Sequence, residues 1–233
     1  MKKGIQASGA LTRKKVLFAT VRVFLEKGYE GATAKEIAKL ADISSGSPFG
    51  LFGGKEGVLL ELVRQMFSSQ FALVERLLDG ETEPLMLYAT ETALQLHITE
   101  LSEPLRELYV TAYTLPSTSD YIYEQMAARL PQIFAPYLPG AAAKDFYELE
   151  IASASMTRGF MAKPCDLYFT IERKLRRYLL SCFKLYEVPT ETALAVVDRV
   201  AAMELQGLAS QIIEQTVLRA EEGFETVMTE GKA

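Results

Sequence analysis

The chain has 233 residues, about half of them apolar, and a net charge of −5. That length supports one substantial core, or a small domain joined to a larger one. No run approaches the roughly 18 uninterrupted apolar residues of a membrane-spanning helix, and the basic stretch Met1 to Arg13 lacks the apolar centre of a signal peptide. No membrane partner is therefore expected, the location is expected to be cytoplasmic, and the first thirteen residues read as a short disordered tail.

Charge is unevenly placed. Residues 1–55 hold ten Lys or Arg against four Asp or Glu, and the remainder holds fifteen against twenty-six. A basic head on an acidic body points to an anionic partner for the head alone. The two cysteines, Cys165 and Cys182, fall in segments of helical pattern and read as small core residues. With one histidine in the chain they make a poor metal set, and no cofactor is expected.

In chain order, Thr12 is placed to cap a first helix, with Leu11 and Val16 as a hydrophobic staple. Leu17, Val21, Phe24 and Leu25 follow at helical spacing, and Gly28 is a stop signal. Thr33 and Glu36 form a capping-box pattern that opens a second helix running to about Ala41. After a turn at Asp42-Ile43, Ser44 can cap a third, very short helix that ends by Phe52, before Gly53-Gly54. Pro48 fits that helix only at its first position, with Ser47 as cap.

A fourth helix is predicted from Lys55 to Leu78, with Leu59, Leu62, Val63, Met66 and Phe67 beginning its apolar stripe. It would run on the order of 36 Å, long enough to join head to body rigidly. Gly80 and Pro84 end it and open the next. Further helices are expected at 84–101, 104–115, 119–138, 143–162, 166–187 and 190–222. No hairpin signal or strict alternation appears. The expected class is all-α, with about nine to ten helices in a dimer. Residues 1–54 would form the head and residues 55–233 the body.

Three short helices with a tight turn between the second and third are the parts of a helix-turn-helix. In that arrangement the second helix braces on the phosphate backbone, and the third puts its N-terminal end into the major groove of double-stranded DNA. The small residues Ser44, Ser45, Gly46 and Ser47 suit a close approach, Thr33 and Lys35 suit the brace, and Lys55 can hold a phosphate at a helix start.

The run Phe24-Leu-Glu-Lys-Gly-Tyr-Glu-Gly-Ala-Thr33, then Glu36-Ile-Ala38, then Ala41-Asp-Ile-Ser44-Ser-Gly46-Ser, then Phe49-Gly-Leu-Phe52-Gly-Gly-Lys55-Glu resembles the N-terminal domain of TetR-family repressors. The resemblance covers about residues 13–60. It implies a dimer on a two-fold operator, a ligand-binding body of variable sequence and release of DNA when a small-molecule effector binds. This chain departs from the family at Asp42, where glycine is usual, and at Pro48, Phe49, Gly50 and Leu51. The third helix then offers no Arg, Lys, Asn or Gln for bidentate base contacts. Reading of bases would rest on serine hydroxyls, on apolar contact from Phe49 to thymine methyls, on the N-terminal arm or on DNA shape.

In the body, Tyr88, Tyr109, Tyr113, Phe134 and Phe160 are candidate walls for a mostly apolar ligand, with His97 a further candidate. Each is also an ordinary core position. Glu148 and Glu150 read as surface carboxylates. A homodimer is expected through the last two helices, 166–187 and 190–222, because Leu194, Val197, Leu205, Leu208 and Ile212 make a face broader than one chain's core needs. No nucleophile stands beside a plausible base, so no enzyme is expected.

Overall fold

The computed structural model describes residues 2–43, 48–77 and 83–230, which contain ten α-helices, one 3-10 segment and no strand. The first helix, α1 (Lys2–Gly31), starts ten residues before the expected cap. Thr12 lies inside it, so the tail expected up to Arg13 is helical from Lys2. Nothing in Lys2–Leu11 forces a stop, since the segment has no proline.

The predicted stop at Gly28 is present as a break within α1. Gly28 adopts φ 76° and ψ −179°, a conformation open essentially to glycine alone, and one further helical turn follows. The short α2 (Ala34–Leu40) is capped by Thr33, whose hydroxyl oxygen accepts from the Glu36 N–H at 3.3 Å. The Glu36 carboxylate turns instead to Lys27, which ties α2 back to α1.

Next come a 3-10 segment, Pro48–Phe52, and the long α3 (Lys55–Leu77). Leu78 and Gly80, the expected end of that helix, lie outside the described residues. The body is α4 (Pro84–Leu101), α5 (Glu103–Ala112), α6 (Pro116–Phe134), α7 (Ala143–Ala162), α8 (Ile171–Leu185), α9 (Thr190–Ala201) and α10 (Leu205–Glu230). Proline sets three of these starts, in the first turn of α4, α5 and α6, where a missing N–H costs nothing. Among the described residues no helix is long and apolar enough to cross a membrane, and no group of three or more metal-ligating side chains is found.

Two body expectations need correction. The helix expected at 166–187 starts only at Ile171, because Asp166 closes a turn by accepting the Tyr168 and Phe169 N–H groups at 2.9 Å. The helix expected at 190–222 is two helices, broken at Ala202–Glu204 without proline or glycine. The break is tertiary: Met203 sits 3.8 Å from the Thr90 hydroxyl and Leu205 is buried, so the chain turns there to lay α9 on α8 and α10 on α4 and α1. Propensity gave way to packing.

That turn also takes part of the apolar face expected at the dimer interface into the chain's own core, while Leu194, Leu208 and Ile212 stay partly exposed. Val197, Val200 and Ala209 are fully buried, and Leu205 nearly so, all within one chain. Tyr88, Phe134, Phe183 and Tyr186 fill the centre of the body, with the Phe134 and Tyr186 rings stacked at 3.9 Å. The head core does not stop at the head. Val16, Phe24, Ile37 and Ala41 pack with Leu59, Leu62 and Val63 of α3, Leu108 and Ala112 of α5 and Ile122 of α6.

Candidate functional site

The turn between α2 and the 3-10 segment is built by backbone geometry. The Asp42 N–H donates to the Lys39 carbonyl and the Ile43 N–H to the Ala38 carbonyl, the paired bonds of a Schellman stop. This places Asp42 at φ 51°, the left-handed region that favours glycine and tolerates aspartate. The family's usual glycine at this position thus has a conformational reason. Asp42→Gly is expected to stabilise the head by about 0.5–1 kcal/mol, whereas Asp42→Val should destabilise it by more; urea unfolding midpoints of the two variants check both signs.

Ser44, Ser45 and Ser47 lie outside the described residues. Pro48 begins the 3-10 segment, as its missing N–H requires, and is buried. Phe49 and Phe52 are half-buried against the head core, so Phe49 serves packing as well as any contact it makes outside. Gly50 and Leu51 form the exposed part of the segment, with Leu51 41% exposed. Gly53 and Gly54 end it at positive φ.

Thr33 and Lys35 are exposed on the start of α2, consistent with a brace. Lys55 behaves differently. Its ammonium lies 4.5 Å from the Tyr29 ring centre and 3.5 Å from the Glu30 carbonyl, and partial burial lowers its pKa. It therefore closes the end of α1, and it would have to turn outward to meet a phosphate.

Arg13 was hidden by its place in the expected tail. It donates to the Leu51 carbonyl at 3.1 Å, stacks 4.3 Å from the Phe52 ring centre and pairs with Glu61 at 3.3 Å. It fastens the 3-10 segment to α1 and α3 together. Two carboxylates then join head to body. Glu56, at the start of α3, accepts from the N–H and hydroxyl of Ser117 at 3.0 and 2.6 Å, which holds its carboxyl below the ordinary range. Glu107 of α5 accepts from the Glu30 N–H at 2.7 Å.

Two small cavities of the body, of about 40 and 30 Å³, share a wall. The first, under α3, is lined by Leu59, Leu62, Val63 and Met66 on one side and by Gln95, Leu108, Tyr109 and Tyr113 on the other. The second lies deeper, between α4 and α7, and is bounded by Tyr88, Glu91, Gln95, Tyr113, Glu150, Ser153, Thr157 and Tyr178. Gln95 and Tyr113 belong to both, and Tyr113 donates to the Gln95 side-chain oxygen at 3.3 Å.

Of the expected ligand residues, Tyr88, Tyr109 and Tyr113 border these cavities. Phe134 is a core ring behind them, and Phe160 packs on Tyr178 at 5.4 Å. His97 is not brought to them. It lies half-buried beside Leu175, Val200 and Met203, where burial lowers its pKa.

Glu150, expected on the surface, is 4% exposed. It shares the inward stripe of α7 with Phe146, Ser153 and Thr157, a spacing visible in the sequence but masked by the habit of assigning glutamate to solvent. Its carboxyl accepts from the Ser153 hydroxyl at 2.9 Å, and Ser153 is 2.8 Å from the Tyr186 hydroxyl. Burial pushes the Glu150 carboxyl up to about 8.

A basic head of α1, α2 and a short third element, with a Schellman turn after α2 and a long helix behind, has the element order of a helix-turn-helix. A family model described as bacterial regulatory proteins of the tetR family matches residues 16–62. The chain is 34% identical over 65 residues to an uncharacterized HTH-type transcriptional regulator, YvkB, of Bacillus subtilis (strain 168); the match covers 28% of this chain and 34% of that relative, so it spans about a third of the relative's length. A crystal structure of a gamma-butyrolactone receptor (ArpA like protein) is similar at a TM-score of 0.47 and 17% identity, over 87% of this chain and 99% of that one. Residues 16–62 are thus similar to the N-terminal domain of the tetR family of bacterial regulatory proteins.

Proposed function

We propose that this protein is a ligand-responsive repressor of the cytoplasm that binds a palindromic operator as a homodimer and is released by a small, mostly apolar effector. Residues 1–54 would bind DNA, with Thr33, Lys35, Ser44, Ser45, Ser47, Phe49 and Lys55 at the interface, and residues 55–233 would bind ligand and partner. One observation carries the reading. Leu59, Leu62 and Val63 of α3 belong to the head core and at the same time form a wall of the body cavity. A ligand that spreads that wall must shift α3, and with it the head. Operator half-sites lie about 34–36 Å apart, or a multiple, so a displacement of a few ångströms is enough to spoil the match.

Footprinting of the DNA flanking the protein's own gene tests this. The expected result is a protected palindrome. Uniform weak binding to unrelated DNA would favour a second reading, in which the fold persists but sequence recognition has weakened. That reading is motivated by Gly50 and Leu51, which put no hydrogen-bonding side chain on the exposed part of the 3-10 segment.

Beside the α9–α10 face, part of which is taken into the core of one chain, the outside of α7 offers a second surface for dimerisation. Tyr147 and Ile151 stand 38% and 40% exposed, and Ser155 and Gly159 continue the same ridge at intervals of four. Such a ridge suits close helix packing in a two-fold bundle. Ile151→Asp is expected to shift the protein toward monomer in sedimentation velocity and to lower operator affinity at least tenfold. A variant that stays dimeric would move the interface elsewhere.

A further inference from the structure

The two cavities of the body differ in chemistry. The one beneath α3 is apolar, and the one beyond Gln95 and Tyr113 ends on a carboxyl group buried among aromatic rings. Among the described residues no Lys, Arg or His forms an ion pair with Glu150, whereas the other carboxylate on that cavity, Glu91, is paired with Arg129 at 3.4 Å. A buried carboxylate without a cation is costly, because the desolvation of its charge is not repaid. Beside a neutral apolar ligand the carboxyl avoids that cost by keeping its proton and contributes no charge to binding. An anionic ligand would be disfavoured, with Glu91 of α4 and Glu150 of α7 both lining the cavity.

We propose that the effector is a small, largely apolar organic cation, an amine or quaternary ammonium, whose nitrogen is received by Glu150 and whose hydrocarbon part extends toward Met66 and Tyr109 beneath α3. This deepens the ligand-responsive reading above and rests on it. The tyrosines around the carboxyl strengthen the assignment. Tyr88, Tyr113 and Tyr178 border the same cavity, and ring faces attract cations, the more so when water is excluded. The Thr157 and Tyr178 hydroxyls satisfy each other at 2.7 Å, and Ser153 joins Tyr186 to Glu150, so the ionised carboxylate would keep a hydrogen-bond donor already in place. The two-part shape also joins ligand class to output. The charged end is held on α7, the apolar end presses on α3, and α3 carries the head.

Proton balance supplies a signature. The titratable or charged groups around Glu150 are Tyr88 and Glu91 of α4, Tyr113 just after α5, Arg129 of α6, and Tyr178, Cys182 and Tyr186, from α8 and its end. Burial pushes all four tyrosines and Cys182 upward, so they stay protonated near neutrality. Glu150 is protonated there as well, and it must release its proton to face a fixed cation.

The test is isothermal titration of the full-length protein, without DNA, with octyltrimethylammonium, 1-octanol and octanoate. The cation is expected to bind at least tenfold tighter than either of the others and to release close to one proton at pH 7, read from buffers of different ionisation enthalpy. Glu150→Gln should erase most of the cation's advantage while leaving 1-octanol unchanged, and the exposed control Glu148→Gln should keep it. Equal affinity for the three ligands, no proton release from the wild type, or a Glu150→Gln variant that still prefers the cation would overturn the assignment. Because no DNA is present, such a failure leaves the footprinting result standing, and a missing palindrome leaves this one standing.

Discussion

Glu150→Gln is expected to stabilise the protein by about 3–5 kcal/mol at pH 9 and by almost nothing at pH 4. In the unfolded chain this carboxyl ionises near the ordinary value of 4.5, and in the fold burial holds it protonated up to about 8. Between those limits the native state keeps a proton that the unfolded state has lost. Stability therefore falls as pH rises through the window and levels off above it. Glutamine has nothing to ionise and fills the same space, so it removes this slope and can still accept from Ser153. In a chain of this size the gain at pH 9 corresponds to roughly 10 °C in melting temperature. Urea midpoints of both proteins from pH 4 to pH 9 provide the check, since contributions from all other groups cancel in the difference. Curves that run parallel across that range would mean that Glu150 is hydrated and ionised throughout.

The same residue marks the limit of what the sequence made legible. Local signals carried well. Thr33 caps α2 as its spacing implies, Gly28 breaks α1, Pro84 opens α4, and α7 runs over the predicted 143–162. All of these depend on a few neighbouring residues. What failed depends on distant ones. Whether Glu150 faces water is decided by α4 and α8 packing on α7, and whether the chain bends at Ala202 is decided by Thr90, 113 residues away from Met203. The apolar stripe of 190–222 is shared between the chain's own core, at Val197 and Leu205, and a partly exposed face at Leu194, Leu208 and Ile212: periodicity says that a face is apolar and not what covers it. In the head, the family resemblance identified the scaffold, while Arg13 and Lys55 took places that only the fold shows, one clamping the 3-10 segment and the other closing the end of α1.

Gly28→Ala is expected to destabilise the protein by about 3 kcal/mol or more and to abolish operator binding under conditions where the protein is still folded. Two separate effects meet at this position. The backbone sits at φ 76° and ψ −179°, which costs an alanine about 1–3 kcal/mol. An added Cβ would also stand 1.9 Å from the Glu107 carboxylate, the group that accepts from the Glu30 N–H and so fixes the head on α5. Relief of that clash requires Glu107 to withdraw, which unfastens the end of α1 and the α2 that follows it. A double-mutant cycle separates the two effects. In a Glu107→Ala background the clash is gone, and Gly28→Ala should then cost only its backbone share, about half of its cost in the wild type. If the cost is the same in both backgrounds, the strain is confined to the backbone and Glu107 plays no part in seating the head. If instead the two substitutions couple by 1 kcal/mol or more, and Glu107→Ala alone loosens operator binding while the fold remains intact, the carboxylate on α5 is the fastening through which the body sets the position of the DNA-binding head.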